Sequence, residues 1–331
     1  MQKITIVGAG AIGLWLGAQL GASQAAGAPP IGVLARGATL AALQLSGMQL
    51  VTTSGTVQCA CTAVADAAQL GVQDLVVISV KGPAMREVAK QIAPLLGPHT
   101  VVLSAMNGVP WWFLQGFGGA ASGKRLQAVD ADGSIAGHIS TASVLGCVVH
   151  ASCTSPAPGT AQLHFGNKLI IGEPSGGASA RLAALQERLQ SAGFEAACSL
   201  QIQRDIWYKL WGNMTVNPIS AITGATTDKI LGDDLVRGFV SAVMLEAKAI
   251  GACIGIPIAD SPEDRHAVTA KLGAFKTSML QDVQAGKAVE LDALVGAVRE
   301  LGMLTGVATP FTDALMGLAR LHAQGRGLYP V

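Results

Sequence analysis

The spacing of apolar positions changes character along the chain. In the first half they form short unbroken runs: 3-KITIV-7, 31-IGVLAR-36, 74-DLVVISVK-81 and 100-TVVLSAMNG-108. Runs of this length, with little polar alternation, predict strands buried on both faces of a parallel sheet. Residues 144–152, 161–166 and 168–173 read as further strands, with antiparallel pairing at one edge. A helix over 179–193 then precedes a short strand, FEAACS. Beyond residue 200 the period becomes helical, with helices predicted near 203–217, 228–232, 234–255, 261–285, 288–305 and 309–323. Pro218, Pro257, Pro262 and Pro310 mark their boundaries. Two domains are expected, 1–200 and 201–331, the second all-α.

The turn after the first strand gives the sheet a purpose. Gly8, Gly10 and Gly13 form G-x-G-x-x-G between a strand and an apolar helix. The first glycine permits a tight turn, the second lets a pyrophosphate approach the backbone, and the third lets helix pack on strand. The free N–H groups of the helix start then face the phosphates. The whole turn, Gly8, Ala9, Gly10, Ala11, Ile12 and Gly13, is the candidate cofactor cradle. With it the fold class is α/β: an N-terminal Rossmann-type doubly wound sheet followed by an all-α C-terminal domain. NAD binders usually end the second strand on an acid that holds the ribose 2′-OH; this chain has Arg36 there, which favours a 2′-phosphate and hence NADPH. Lys81 and Asn107 end the next two strands, on the side where such sheets bind ligands. A surface charge and a helix cap are the plainer readings of these two.

A second constellation lies in 205-DIWYKLWGNMTVNPIS-220. Lys209, Asn213 and Asn217 recur every fourth residue of a largely apolar helix, so they share one face. If that helix lines the cleft between the domains, the lysine can give a proton to a carbonyl as hydride reaches its carbon, and the amides can hold the substrate. Ser278 and Glu290 flank the turn 285-AGK-287, where a hydroxyl and a carboxylate could meet across a helical hairpin. Burial of Ser278 and a helix-dipole role for Glu290 and Asp292 are equally open. Trp111 and Trp112 read either as a pocket wall or as core of a short helix; His150 and His164 read as strand residues.

Composition narrows the class. The chain has 331 residues, 50% hydrophobic and 13% charged, with net charge +1, and no basic stripe. Nucleic acid is therefore not an expected partner. No uninterrupted apolar run of about 20 residues exists, so no membrane span is expected. Lys3, the run after it and the later AAGA imitate a leader only faintly, because the glycines interrupt the run. The six cysteines, at 59, 61, 147, 153, 198 and 253, lack metal-ligand spacing and read as reduced thiols of a cytoplasmic protein. Cys59-x-Cys61 fits alternating strand positions, and no metal is expected. The fragment 130-DADGS-134 lacks the ligand set of a calcium loop.

Taken in order, GAGAIG, Arg36, Val80-Lys81, Asn107-Gly108, K-x-x-x-N-x-x-x-N-P from Lys209 to Pro218, and SMLQD followed by E-x-D resemble the ketopantoate reductase (2-dehydropantoate 2-reductase) family over nearly the whole chain. The resemblance implies reduction of 2-dehydropantoate to (R)-pantoate by NADPH, in pantothenate biosynthesis. It implies Lys209 as general acid, with Asn107 and Glu290 completing the catalytic set. It implies Asn213, Asn217, Ser278 and Lys81 at the substrate, and Arg36, Lys81, Asn107, Ser152 and Glu290 at the cofactor. The chain departs from the pattern at Ala84, where Gln is frequent, and at Thr227, where Asn is expected; NGVPWW also replaces a smaller sequence. A bulkier 2-oxo acid substrate is the alternative these departures suggest. A hydroxy-acid or opine dehydrogenase on the same plan calls for a His-Asp pair or an NAD-type acid, and neither is evident. A non-catalytic NADPH sensor calls for loss of Lys209 or its amides, and both are present. A homodimer stays open.

Overall fold

The computed structural model describes residues 1–24 and 27–331; Ala25 and Ala26 of the AAGA stretch lie outside the described residues. Ten strands form one sheet: β1 (Ile4–Val7), β2 (Ile31–Leu34), β3 (Met48–Thr52), β4 (Gly55–Cys59), β5 (Cys61–Val64), β6 (Leu75–Ile78), β7 (Val101–Ser104), β8 (Val144–Ala157), β9 (Thr160–Gly172) and β10 (Glu195–Ser199). The helices are α1 (Ala11–Ala22), α2 (Gly37–Ser46), α3 (Met85–Gln91), α4 (Gln127–Asp130), α5 (Ser134–His138), α6 (Ala180–Ser191), α7 (Ile202–Thr223), α8 (Thr227–Gly232), α9 (Asp234–Cys253), α10 (Pro262–Ala270), α11 (Ser278–Gln284), α12 (Ala297–Thr305) and α13 (Pro310–Gln324).

The chain divides into two compact units. The first is Met1–Met106 with Gly133–Ile202, and the second is Asn107–Asp132 with Gln203–Val331. In the first, neighbours β8, β7, β6, β1, β2 and β5 run parallel, which makes this a Rossmann-type sheet. β1, β2, β6 and β7 are buried at every position, as their unbroken apolar runs require. β9 returns antiparallel to β8 at one side, as expected. It is one strand rather than two, because Gly166 (φ +81) absorbs the irregularity inside it. The exposed residue His164 bonds Thr154 across that pair at 2.9 Å and is a strand residue. Cys59 ends β4 and Cys61 opens β5, so the two do not alternate along one strand.

The second unit is helical, and its boundaries shift from those expected. Pro218 lies inside α7 and does not end it; the helix runs on to Thr223. The span expected as one helix over 261–285 is two, broken at Gly273 (φ +62). A π-helical turn, Asp292–Gly296, precedes α12. Where the sequence suggested a single division near residue 200, the excursion Asn107–Asp132 packs with the helices. It begins in turns rather than a short helix, and Trp112 and Phe113 are fully buried. Phe113 stacks 6.1 Å from Trp207 of α7. Glu300 of α12 anchors the far end, accepting from the N–H groups of Gln127 (2.7 Å) and Ala128 (2.9 Å) at the start of α4. Negative charge at a helix N-terminus is favourable there.

Two glycines of α9 separate packing from propensity. A Cβ on Gly251 would sit 2.5 Å from Trp207 Nε1 and 3.0 Å from the Ile256 carbonyl, whereas one on Gly238 meets nothing within 4 Å. Gly251→Ala should destabilise the protein by about 1–3 kcal/mol. Gly238→Ala should stabilise it by about 0.5–1 kcal/mol. Urea unfolding of the two variants checks both signs.

Candidate active site

In the first unit a cavity of about 170 Å³ opens at the C-terminal ends of β1 and β2, lined by Gly8, Ala9, Arg36, Thr39 and Val80 among others. β2 and β6 flank β1, so this is where strand order reverses, the usual ligand position of such sheets. The three glycines have different physical duties. Gly8 is at φ +99, and a Cβ there would be 2.7 Å from Val80 Cγ1. A Cβ on Gly13 would lie 2.0 Å from the Gly8 carbonyl oxygen and 2.4 Å from Ser79 Oγ, so helix–strand contact excludes it. Gly10 has ordinary φ (−87°) and nothing within 4 Å of a Cβ. Its bareness serves no internal packing and leaves open space at the start of α1. No side chain caps α1, whose first turn holds Ala11, Ile12 and Gly13. These features fit a dinucleotide phosphate. Arg36 is the N-cap residue of α2 and pairs with Glu87 at 3.0 Å, both side chains about 60% exposed (62% and 60%). Lys81 is half-buried at the start of the 3₁₀ turn Gly82–Ala84, three residues past β6. Ser152 faces Phe165 at a register shift between β8 and β9, outside the lining of this cavity.

In the second unit Lys209 is half-buried on α7, a helix whose Trp207, Leu210 and Trp211 are at most 2% exposed. Its Nζ donates to Asn107 Oδ1 at 2.8 Å. Asn107 is held in place by the two residues after it. Gly108 adopts φ +80, and a Cβ there would be 2.6 Å from the Ala293 carbonyl oxygen; Val109 N–H donates to that same oxygen at 2.8 Å. Glu290 is half-buried just ahead of the π turn that contains Ala293. Asp292, in that turn, accepts from the Tyr329 hydroxyl, and burial raises its carboxyl pKa. Along α7, Asn213 and Asn217 line a second cavity of about 230 Å³, with Thr227, Arg265, Phe275 and Thr277. The helix thus presents its lysine to Asn107 and its two amides to this cavity.

Comparison with known proteins decides the family. The profile "Ketopantoate reductase PanE/ApbA" matches residues 4–176, and "Ketopantoate reductase PanE/ApbA C terminal" matches 201–323. The chain belongs to the ketopantoate reductase family. It is an oxidoreductase of that type. A 2-dehydropantoate 2-reductase of Mesorhizobium japonicum is 43% identical over 328 residues, 99% of this chain and 100% of its own. A solved structure from Ralstonia solanacearum MolK2, named as a candidate ketopantoate reductase, is 55% identical with TM-score 0.93, covering 99% and 100% of the two chains. D-mandelate dehydrogenase, solved with NADH and anilino(oxo)acetate, shares the fold at 20% identity, TM-score 0.83 and coverage of 98% and 99%. Among the described residues, no helix is long and apolar enough to cross a membrane.

Within this family frame, the structure puts the remaining sequence candidates in mixed positions. Ser278 is exposed at the first residue of α11; its neighbour Thr277, buried and capping that helix through Leu280 N–H (3.2 Å), lines the cavity instead. Trp111 and Trp112 are core residues, 5% and 0% exposed, and line neither of the two cavities described. Thr227 spends its hydroxyl on the Gly273 carbonyl (2.6 Å), fastening α8 to the loop before α11. Arg265 was not singled out from the sequence, since SPEDRH reads as a solvated helix start. The usable signal was Arg265, Val268, Thr269 and Leu272 at i, i+3, i+4 and i+7, one face without further charge.

Gly10→Ala should leave unfolding stability within about 1 kcal/mol of wild type, yet weaken dinucleotide binding at least about tenfold. Calorimetric titration with NADPH, beside a thermal melt, checks both halves.

Proposed function

We propose that the protein reduces 2-dehydropantoate to (R)-pantoate with NADPH, hydride going to the C2 carbonyl carbon and a proton from Lys209 to its oxygen. The observation that carries this reading is the 2.8 Å Lys209–Asn107 hydrogen bond, on the helix whose Asn213 and Asn217 line a cavity. Bound at the glycine turn, the nicotinamide dinucleotide supplies the hydride. Lys209 supplies the proton, and Asn107 aims its ammonium by holding one of its three N–H bonds. Asn213 and Asn217 orient the substrate, with Ser278 and Lys81 as further contacts and Glu290 at the cofactor's nicotinamide ribose. Arg36 takes the 2′-phosphate. Its present partner, Glu87, is an exposed carboxylate, and such pairs are worth only about 0–1 kcal/mol, so exchange for a dianionic phosphate is favourable. Free cysteines throughout suit a cytoplasmic enzyme of pantothenate synthesis.

A second reading, a bulkier 2-oxo acid, is favoured by one feature. Phe275 and Leu272 give the Asn213–Asn217 cavity an apolar side, and Thr227, where an amide is expected, keeps its hydroxyl for backbone. NADPH oxidation against 2-dehydropantoate and a panel of branched and aromatic 2-oxo acids separates the two. Selective turnover of 2-dehydropantoate supports the first reading, and preference for a larger acid supports the second. Silence across the panel removes both. Arg36→Ala should raise the KM for NADPH by about tenfold or more while leaving that for NADH within about twofold; equal losses contradict the 2′-phosphate role.

A further inference from the structure

The guanidinium of Arg265 is the feature of the second unit that its own fold does not explain. The capping box of α10, Ser261 with Asp264, fixes the helix start and so the direction of Arg265. The side chain lies over the Tyr208 ring at 5.5 Å and against α7, where a Cβ on Gly212 would be 2.8 Å from its Nη2. Gly212 thus makes room for this cation. The nearby carboxylate, Asp260, accepts instead from the Tyr208 hydroxyl at 2.7 Å. Arg265 Nε is buried with no acceptor, and among the described residues no carboxylate pairs with the guanidinium. Burial lowers its pKa from the ordinary value. A half-buried guanidinium whose Nε lacks an acceptor costs stability, and it is retained here on the wall of a cavity. Opposite in character, Val216, Val268 and Leu272 make that cavity partly apolar, and Asn213 and Asn217 bring amides to it.

We propose that Arg265 is the carboxylate receptor of this cavity and that it selects a small monocarboxylate with a branched apolar tail. The identification of that acid as a 2-oxo acid rests on the reductase reading above. Arg presents parallel N–H donors that match a carboxylate in two-pronged fashion, a geometry lysine or an amide cannot reproduce. At about 230 Å³ the space falls below the roughly 300–1,000 Å³ of pockets for drug-sized ligands, which suits a small acid. Arg265 therefore sets which end of the substrate enters the apolar part, and the amides of α7 meet the group between. It is a binding and specificity residue, not a proton donor.

The test uses the intact protein, with 3-methyl-2-oxobutanoate and its carboxamide as paired probes. Calorimetry with NADPH present measures both affinities, and NADPH oxidation is followed in the same samples. Wild type should favour the acid over the amide by about 100-fold, Arg265→Gln should erase that preference by weakening the acid alone, and Arg265→Lys should restore part of it. Gly212→Ala, whose new methyl displaces the guanidinium without touching its charge, should weaken the acid in the same direction and serves if Arg265→Gln melts too low to assay. An acid-to-amide ratio unchanged by Arg265→Gln, an equal loss for both probes, or no acid binding by wild type overturns the proposal. Acid preference lost in Arg265→Gln, with no NADPH oxidation by wild type of either this acid or 2-dehydropantoate, supports the receptor and removes the reductase reading. Turnover of the acid undiminished in Arg265→Gln does the reverse.

Discussion

A lysine on an apolar helix needs an acceptor, and much of the second unit is arranged to supply one. Lys209 is half-buried on a helix whose Trp207, Leu210 and Trp211 are at most 2% exposed, and a half-buried ammonium without an acceptor is costly. Asn107 gives it an oxygen at 2.8 Å, and hydrogen bonds to charged groups contribute roughly 1.5–3 kcal/mol. That oxygen comes from far away in sequence. It requires the chain to leave the sheet after Met106 and enter the helical unit up to Asp132. Gly108 is the only kind of residue that fits at φ +80 against Ala293, and Glu300 holds the other end of the excursion. The lysine–amide pair and the chain path after Met106 answer one electrostatic requirement.

The two units carry different kinds of polar group. The first offers backbone: a turn without side chains, an uncapped helix start and strand ends, which suit a phosphate that needs N–H donors and close approach. The second offers side chains on rigid helices: an ammonium, two amides and a guanidinium over α7 and α10. Backbone sites tolerate little variation, because Gly8 and Gly13 have no room for a Cβ. The departures from the family pattern noted in the sequence, Ala84, Thr227 and NGVPWW, all lie outside that turn.

What was legible in the sequence follows the same division. Strands β1, β2, β6 and β7 were readable because burial on both faces leaves an unbroken apolar run. The glycine turn was readable because two of its three glycines, Gly8 and Gly13, leave no room for a Cβ. The face shared by Lys209, Asn213 and Asn217 was readable from the helical period alone. Less was visible where tertiary contacts decide. Pro218 remains within α7 although proline usually ends a helix, because packing on both sides outweighs one lost hydrogen bond. The break at Gly273 was hidden because Ala270, Leu272, Ala274 and Phe275 continue the apolar pattern around it, and the path of 107–132 is fastened by Glu300, 173 residues from Gln127 in sequence. Arg265 was masked by its acidic neighbours Glu263 and Asp264, which turn out to face elsewhere as parts of the helix start.

The most direct test of the central claim is the turnover of Lys209→Ala at saturating NADPH and 2-oxo acid, with NADPH affinity measured separately by fluorescence. A residue that delivers the proton predicts a fall in kcat of about 10²–10⁴-fold, with NADPH affinity within about twofold of wild type. A variant that turns over normally once NADPH is bound, or whose loss is entirely in NADPH affinity, would contradict the account.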